Sequence, residues 1–280
     1  MKRLLIGNAW VDNVTMPEAI AEVDRIILRG RPATVVTPNV DHVVRMTQDT
    51  AFAQIVATAD LVLPDGLPLV WASHLLSFVL GQPSLKQRVA GSDLFVRLCQ
   101  HAATVGHRVF FFGGAPGAAE GARAVLTERF PDLRVVGTHC PPMGFEQDSK
   151  LNQQCIRQIR QARPHILFVG LGSPKQELWI AQHKHRYEVP VSIGVGISFA
   201  FACGQVRRAP VWVQRAGFEW LHRMTQEPRR LWRRYLLRCP RFVPLIAAQI
   251  LGARATRRNE YPGIRPRTSM SSTARNRDRS

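Results

Sequence analysis

The sequence predicts an α/β protein. A Rossmann-like parallel sheet with helices on both faces is expected over residues 1–205, a basic helical appendage over 206–252, and a disordered Arg/Ser-rich tail over 253–280. Three observations carry this reading. Short runs of β-branched and aromatic residues alternate with longer helical patterns up to about residue 205, as stacked βαβ units require. Polar and glycine-rich clusters lie at the carboxyl ends of those runs, where an open parallel sheet keeps its ligand crevice. Charge then shifts abruptly: residues 1–205 hold 20 Lys and Arg against 16 acids, whereas 206–280 hold 18 Arg, no Lys and 4 acids.

Taken in order, the strands fall at 33–37 (ATVVT), 60–63, 108–112 (RVFFF), 133–136, 165–169 (HILFV) and 191–195. Helical patterns occupy 16–29, 47–57, 92–105, 118–130, 150–162 and 175–185. The segments leaving the strands carry Thr37, Pro38 and Asn39 after the first, Pro64, Asp65 and Gly66 after the second, GGAPG after the third and GLGSPKQE after the fifth.

The last quarter has a different grammar. Residues 206–238 predict two basic amphipathic helices broken near Pro228, a residue suited to a first helical turn. In the first, Trp212, Ala216, Trp220 and Met224 recur on one helical face. In the second, Leu231, Trp232, Tyr235 and Leu236 interleave with Arg229, Arg230, Arg233, Arg234 and Arg238. The run 242–251 is apolar but short and contains Pro244. Basic helices with Trp, Leu and Tyr suit an element lying in a membrane interface.

The formal net charge of +18, concentrated in the appendage, points to a polyanionic partner: nucleic acid, an anionic membrane surface or a phosphorylated substrate. Five scattered cysteines, Cys99, Cys140, Cys155, Cys203 and Cys239, form no C-x-x-C pair and read as reduced thiols of a cytosolic protein. The N-terminus lacks the features of a secretory leader. No window is expected to supply the roughly 18–20 uncharged apolar residues that span a bilayer. Neither Asp-x-Asp nor HExxH occurs, which favours metal-free chemistry without a cofactor.

Several residues are candidates for chemistry, each with a plainer reading. Asp65, between Pro64 and Gly66, either presents a carboxylate to the crevice or caps the next helix. Thr37 and Asn39, held by Pro38, either line a polar pocket or make a turn. Gly113 and Gly114 permit close approach of an anion to backbone amides, or simply a tight βα turn. In GLGSPKQELWI, Ser173 resembles an N-cap, Pro174 the first helical residue and Gln176 a capping-box partner. Gln176 then either turns back to the backbone or reaches ligand.

TPNVDHV, LPDGLPLVWAS, RVAGSDL, FFFGGAPG, GFE at 144–146, GLGSPKQELWI, GVGISFAFACGQVRRAP and EWLHRMTQEPRRLWRRY, in this order, resemble the WecG/TagA/CpsF glycosyltransferases, glycosyltransferase family 26. The resemblance covers about residues 4–240. It implies a GT-E Rossmann-like catalytic domain and a metal-independent, inverting hexosyltransferase on the cytoplasmic face of the bacterial membrane. Such enzymes move a sugar, commonly N-acetylmannosamine or its uronic acid, from UDP to a polyprenyl-diphosphate-linked acceptor in cell-surface polysaccharide synthesis. By residue it implies Asp65 as general base, Thr37 and Asn39 as sugar contacts, and Arg88 and Gln176 as pocket residues. Arg223, Arg230 and Arg233 match basic residues of an appendage that closes over the site at the membrane. The segment SFVLGQPSLKQ, at 77–87, is longer than the usual connection and carries Lys86 and Gln87 where Pro-Glu is common; it is expected to border the acceptor.

The expected partners are therefore a UDP-sugar, a lipid-diphosphate-linked sugar and the anionic inner leaflet, with homo-oligomers possible and nucleic acid not expected. Rival readings are a UDP-glucose or other hexosyl donor, a nucleic-acid-binding protein whose arginine helices track phosphates, and a nicotinamide-dependent oxidoreductase. The imperfect glycine spacing weighs against the last.

Overall fold

A computed structural model describes residues 2–255. The tail expected from residue 253 lies almost wholly outside the described residues. Residues 253–255 continue the last helix, so helical structure runs past Gly252.

The six expected strands all form: β3 (Ala33–Val36), β4 (Leu61–Val62), β5 (Arg108–Gly113), β6 (Arg134–His139), β7 (Ile166–Gly170) and β8 (Val191–Gly194). They make one parallel sheet in the order β4-β3-β8-β7-β5-β6. The Rossmann-like α/β expectation therefore holds. Alternate residues go to opposite faces, as the two-residue period of a strand dictates. Val35, Leu61, Phe111, Phe168 and Ile193 pack under α1 (Met16–Leu28), α5 (Gly91–Val105), α6 (Ala118–Arg129) and α9 (Ser198–Ala202). There Phe95 meets Phe168 edge-on at 4.9 Å and Phe199 at 5.3 Å, a geometry the ring quadrupoles favour.

On the opposite face, Phe110, Phe112, Leu167 and Val169 pack under α7 (Ser149–Ala162) and α8 (Lys175–Tyr187). Val36 and Val62 lie under α2 (Val40–Met46), α3 (Thr50–Ala57) and α4 (Leu67–Leu80).

Four elements differ from the sequence reading. Residues 3–12 form an antiparallel hairpin, β1 (Arg3–Ile6) and β2 (Ala9–Asp12), turning at Gly7 with φ 63°. It covers the β4 edge: buried Asp12 accepts the Val62 N–H at 2.8 Å and pairs with Arg3 at 3.0 Å, satisfying an otherwise open edge donor. The helix expected over 47–57 forms as α3, starting at Thr50 because Asp49 caps it by accepting the Phe52 N–H at 2.9 Å, and an additional short helix, α2, capped by Asn39, precedes it. Helix α4 has Pro68 in its first turn and ends at Gly81 in the left-handed region.

The single helix expected around Trp212–Met224 is also divided, into α10 (Val211–Arg215) and α11 (Glu219–Gln226). Gly217 breaks it at φ 81°, and a Cβ there would lie 2.5 Å from the Trp71 ring of α4. Close packing against α4 requires a residue without a side chain.

Pro228 opens α12 (Pro228–Trp232) as expected, and a π-helical turn, Arg233–Arg238, and a 3₁₀ turn, Cys239–Arg241, lead to α13 (Phe242–Ala255). Joined end to end, Pro228–Ala253 is 26 residues and apolar enough, by length and composition, to cross a membrane, which corrects the expectation that no window is long enough. The short apolar run at 242–251 is the end of this longer helical stretch, which continues back through Arg241 and Arg238 and is not stopped by Pro244. One face of α13 nevertheless packs on the domain. Phe242 and Ile246 join the cluster beneath α4, and Gln249 bonds the hairpin through Gly7 N–H at 2.8 Å and Leu5 C=O at 2.9 Å.

Candidate active site

The loop leaving β3 leads toward β4 on one flank of the sheet, whereas the loop leaving β8 feeds α9, which packs against α5 and α6 on the other. Divergence of this kind opens a crevice at the carboxyl ends of the strands. Here the crevice is a cavity of about 600 Å³, floored by the strand-end loops and roofed by the appendage.

Thr37, Asn39, Asp65, Arg88, Gln176, Arg223 and Arg230 all line this cavity. Gly113, Gly114 and Arg233 do not. The two glycines serve packing: a Cβ on Gly113 would come within 2.8 Å of Leu171, and one on Gly114 within 3.1 Å of Phe199. Arg233 lies with its guanidinium 5.3 Å over the Trp232 ring, while its neighbour Arg234 enters the cavity.

Asp65 is held by its backbone: its N–H bonds Pro38 C=O at 2.9 Å, and Val89 N–H bonds Pro64 C=O at 2.9 Å. Helix α4 is capped by Gly66 at φ 126° with no side-chain cap, so capping does not consume the carboxylate. Among the described residues Asp65 makes no ion pair, whereas the other cavity acids do. Asp41 pairs with Arg234 and Arg238 at 3.2 and 2.9 Å, and Glu219 with Arg88 and Arg208 at 2.7 and 3.1 Å. Burial raises the Asp65 carboxyl above the ordinary 3.8; Arg88 opposes the rise and Glu219 adds to it.

Thr37 is buried, and Gly91 makes room for it, since a Cβ there would lie 2.9 Å from its hydroxyl. Asn39 serves both of its readings at once. Its Oδ1 caps α2 through the Asp41 N–H at 3.0 Å, meets His42 Nδ1 at 2.9 Å and accepts from Arg234 at 3.4 Å, while the residue lines the cavity.

The capping box expected around Ser173 is absent. Gln176 instead donates to Glu177 at 2.8 Å and accepts the Gly196 N–H at 3.0 Å, bracing the β8 loop. Glu177 also lies 3.6 Å from His42 Nε2. Burial disfavours its charge, but His42 and the Gln176 amide more than compensate, and its carboxyl sits below the ordinary range. A buried polar chain thus runs Asn39–His42–Glu177–Gln176–Gly196, linking the two loops that open the crevice.

The sequence reading did not single out Glu219, Arg208, Asp93, His42 or Glu177. Arg208 forks onto Asp93 of α5 and also bonds Glu219, so an ion network joins core to appendage. Among the described residues the buried Nε of Arg223 has no hydrogen-bond partner, and the Arg223 guanidinium lies 5.7 Å over Phe201. Arg230 is held 2.9 Å from Glu227. Among the described residues no group of three or more His, Cys, Asp or Glu side chains is placed to hold a metal ion.

An acidic residue left without an ion pair, set among arginines beneath a basic arm, suits group transfer from a phosphorylated donor. Comparison with known proteins agrees. The family model described as Glycosyl transferase WecG/TagA/CpsF family matches residues 4–256. An N-acetylglucosaminyldiphosphoundecaprenol N-acetyl-beta-D-mannosaminyltransferase of Bacillus spizizenii is 32% identical over 235 residues, 84% of this chain and 85% of the relative. The Bacillus subtilis protein of that name is 30% identical over 230 residues, 82% and 83% of the two chains. That of Staphylococcus aureus strain MW2 is 30% identical over 225 residues, 79% and 84%. A match through nearly the whole catalytic domain and appendage leaves one assignment: the chain belongs to the WecG/TagA/CpsF family of glycosyltransferases.

Proposed function

We propose that this glycosyltransferase moves N-acetylmannosamine, or a closely related sugar, from UDP to N-acetylglucosamine carried on a polyprenyl diphosphate. The names of its relatives support this acceptor and this sugar. The observation that carries the mechanism is the Asp65 side chain: among the described residues it makes no ion pair, and burial raises its carboxyl above the ordinary range within a cavity shared with Thr37, Asn39 and four arginines. Asp65 takes the proton of the acceptor hydroxyl as its oxygen attacks the anomeric carbon. The bond to the UDP oxygen breaks, UDP leaves with the electron pair, and the configuration inverts. Charge growing on the diphosphate meets Arg223, Arg230 and Arg234, whose planar guanidinium donors grip phosphate oxygens in pairs. Thr37 and Asn39 orient the sugar.

The appendage brings this site to a bilayer. Trp212, Phe218, Trp232, Leu236, Leu237 and Val243 are exposed among its arginines, and Trp71, Leu75 and Phe78 of α4 extend the apolar surface where Trp71 packs against Gly217. An apolar surface edged by arginine favours the anionic cytoplasmic leaflet, where the lipid-linked acceptor resides. The arm is also part of the fold. Phe242 and Ile246 fill the cluster beneath α4, so deletion from residue 206 would strip the core as well as the site.

A donor screen tests the proposal. UDP-N-acetylmannosamine, its uronic acid, UDP-glucose and UDP-N-acetylglucosamine are each offered with a short-chain polyprenyl-diphosphate N-acetylglucosamine. Transfer from the first two supports the proposal; transfer from UDP-glucose alone overturns the donor, and transfer from none overturns the reaction.

A further inference from the structure

Among the described residues three carboxylates line the cavity, and the arm from residue 206 onward treats them differently. It supplies Arg234 and Arg238 to Asp41, supplies Glu219 itself, and leaves Asp65 without an ion pair. Glu219 is unusual in placement: an acid on a strongly basic segment, aimed into the site where an anionic donor must bind. Its partner Arg88 belongs to the core. The Arg88 Nη2 donates to Glu219 at 2.7 Å, while its buried Nε has no hydrogen-bond partner among the described residues. The second Glu219 oxygen accepts from Arg208, which is in turn forked on Asp93. Both the Arg88 and Glu219 side chains are largely shielded from water, so screening between them is weak.

We propose that Glu219 is a positioning residue: delivered by the docked arm, it holds Arg88 away from Asp65, so that the carboxylate faces the acceptor hydroxyl rather than a guanidinium. Without it, Arg88 has one obvious anionic partner in the same cavity, Asp65. That pairing would make the carboxylate a weaker base and block its access to the acceptor proton. The groups that face Asp65 are Arg88 ahead of α5, Glu219 from α11, His42 from α2 and the Gly91 amide, and of these only Glu219 arrives with the arm. Docking of the arm and readiness of the base are thereby linked through one side chain. The inference rests on Asp65 acting as the base.

The test uses the full chain and the pH dependence of kcat/KM, with UDP-N-acetylmannosamine and the short-chain lipid-linked acceptor. Glu219→Gln keeps shape but removes the charge; the acidic limb is expected to move about one pH unit lower and the plateau kcat to fall several-fold. Glu219→Asp is expected to fall between, and supplies the readout if the Gln variant folds poorly. Asp93→Asn loosens Arg208 without touching Arg88; it is expected to raise the donor KM and leave the limb where it is in the parent. If Glu219→Gln behaves like Asp93→Asn, with an unmoved limb and only a weaker KM, Glu219 is merely a latch and the inference fails. Asp65→Asn separates the two claims. Loss of turnover there with an unmoved limb in Glu219→Gln overturns the inference alone, whereas retained turnover overturns the base and the inference together.

Discussion

Replacing Asp41 by Asn should loosen the part of the arm that carries Arg234 and Arg238, while Phe242 and Ile246 stay packed beneath α4. The Asp41 side chain is 5% exposed and pairs with Arg234 at 3.2 Å and Arg238 at 2.9 Å, whose side chains are 24% and 35% exposed. Asn preserves volume, and the cap of α2 is untouched because it uses the Asp41 backbone N–H and the Asn39 side chain. What is lost is the charge. At an effective dielectric of about 20, each contact is worth roughly 4 kcal/mol before costs. Desolvation, side-chain entropy and the partial exposure of both arginines reduce the two together to about 2 kcal/mol. This corresponds to a shift of roughly 30-fold in the docked-to-open ratio of the arm. Tryptic cleavage at Arg229, Arg230 and Arg233, under conditions where cutting tracks a minor open population, should accelerate by that factor. Cleavage within twofold of the parent would refute the reasoning.

The same geometry sets other outcomes. Gly194→Ala places a Cβ 2.5 Å from Gln176 Nε2, so Gln176 must leave the Gly196 amide; a loss of about 1–3 kcal/mol should appear in urea unfolding. Glu177 contributes to stability against acid: its folded carboxyl lies below the ordinary 4.5, so its share is complete above that pH and lost as pH falls through the lower folded value. Unfolding free energy should therefore drop on acidification more steeply in the parent than in Glu177→Gln. The combined change Leu236→Glu and Leu237→Glu should lower partition onto anionic vesicles by at least about tenfold in a flotation assay, since both side chains are more than half exposed and offer apolar area to a bilayer.

Most of the strands were legible because they are buried and read as short, mainly apolar runs; β6, an edge strand exposed or half-buried along its length, is marked only by Val135 and Val136. Helix α4 was not legible: an element apolar around most of its circumference has no amphipathic period, and only its Pro68 start and Gly81 end mark it. The N-terminal hairpin carries a Gly7-Asn8 turn signal, but its strands of four residues each are too short to show a clear alternating pattern. Gly217 as a break depends on Trp71, almost 150 positions earlier, and no local pattern shows that contact.

The site divides along the same line. Thr37, Asn39 and Asp65 sit just past strand ends, so topology alone brings them together. Glu219 and Arg88 meet across 131 positions, and their pairing exists only once the arm has folded back. Resemblance pointed to Arg233, yet Arg234 faces the cavity; one residue turns a helix by about 100°, and the π-helical turn shifts the phase further.

Single-turnover transfer by Asp65→Asn, with UDP affinity measured on the same preparation by calorimetry, tests the central claim most directly. Removing a general base should slow the chemical step by about 10²–10⁴-fold while UDP binds as in the parent. Transfer within twofold of the parent, at unchanged UDP affinity, would contradict the assignment of Asp65 as the base.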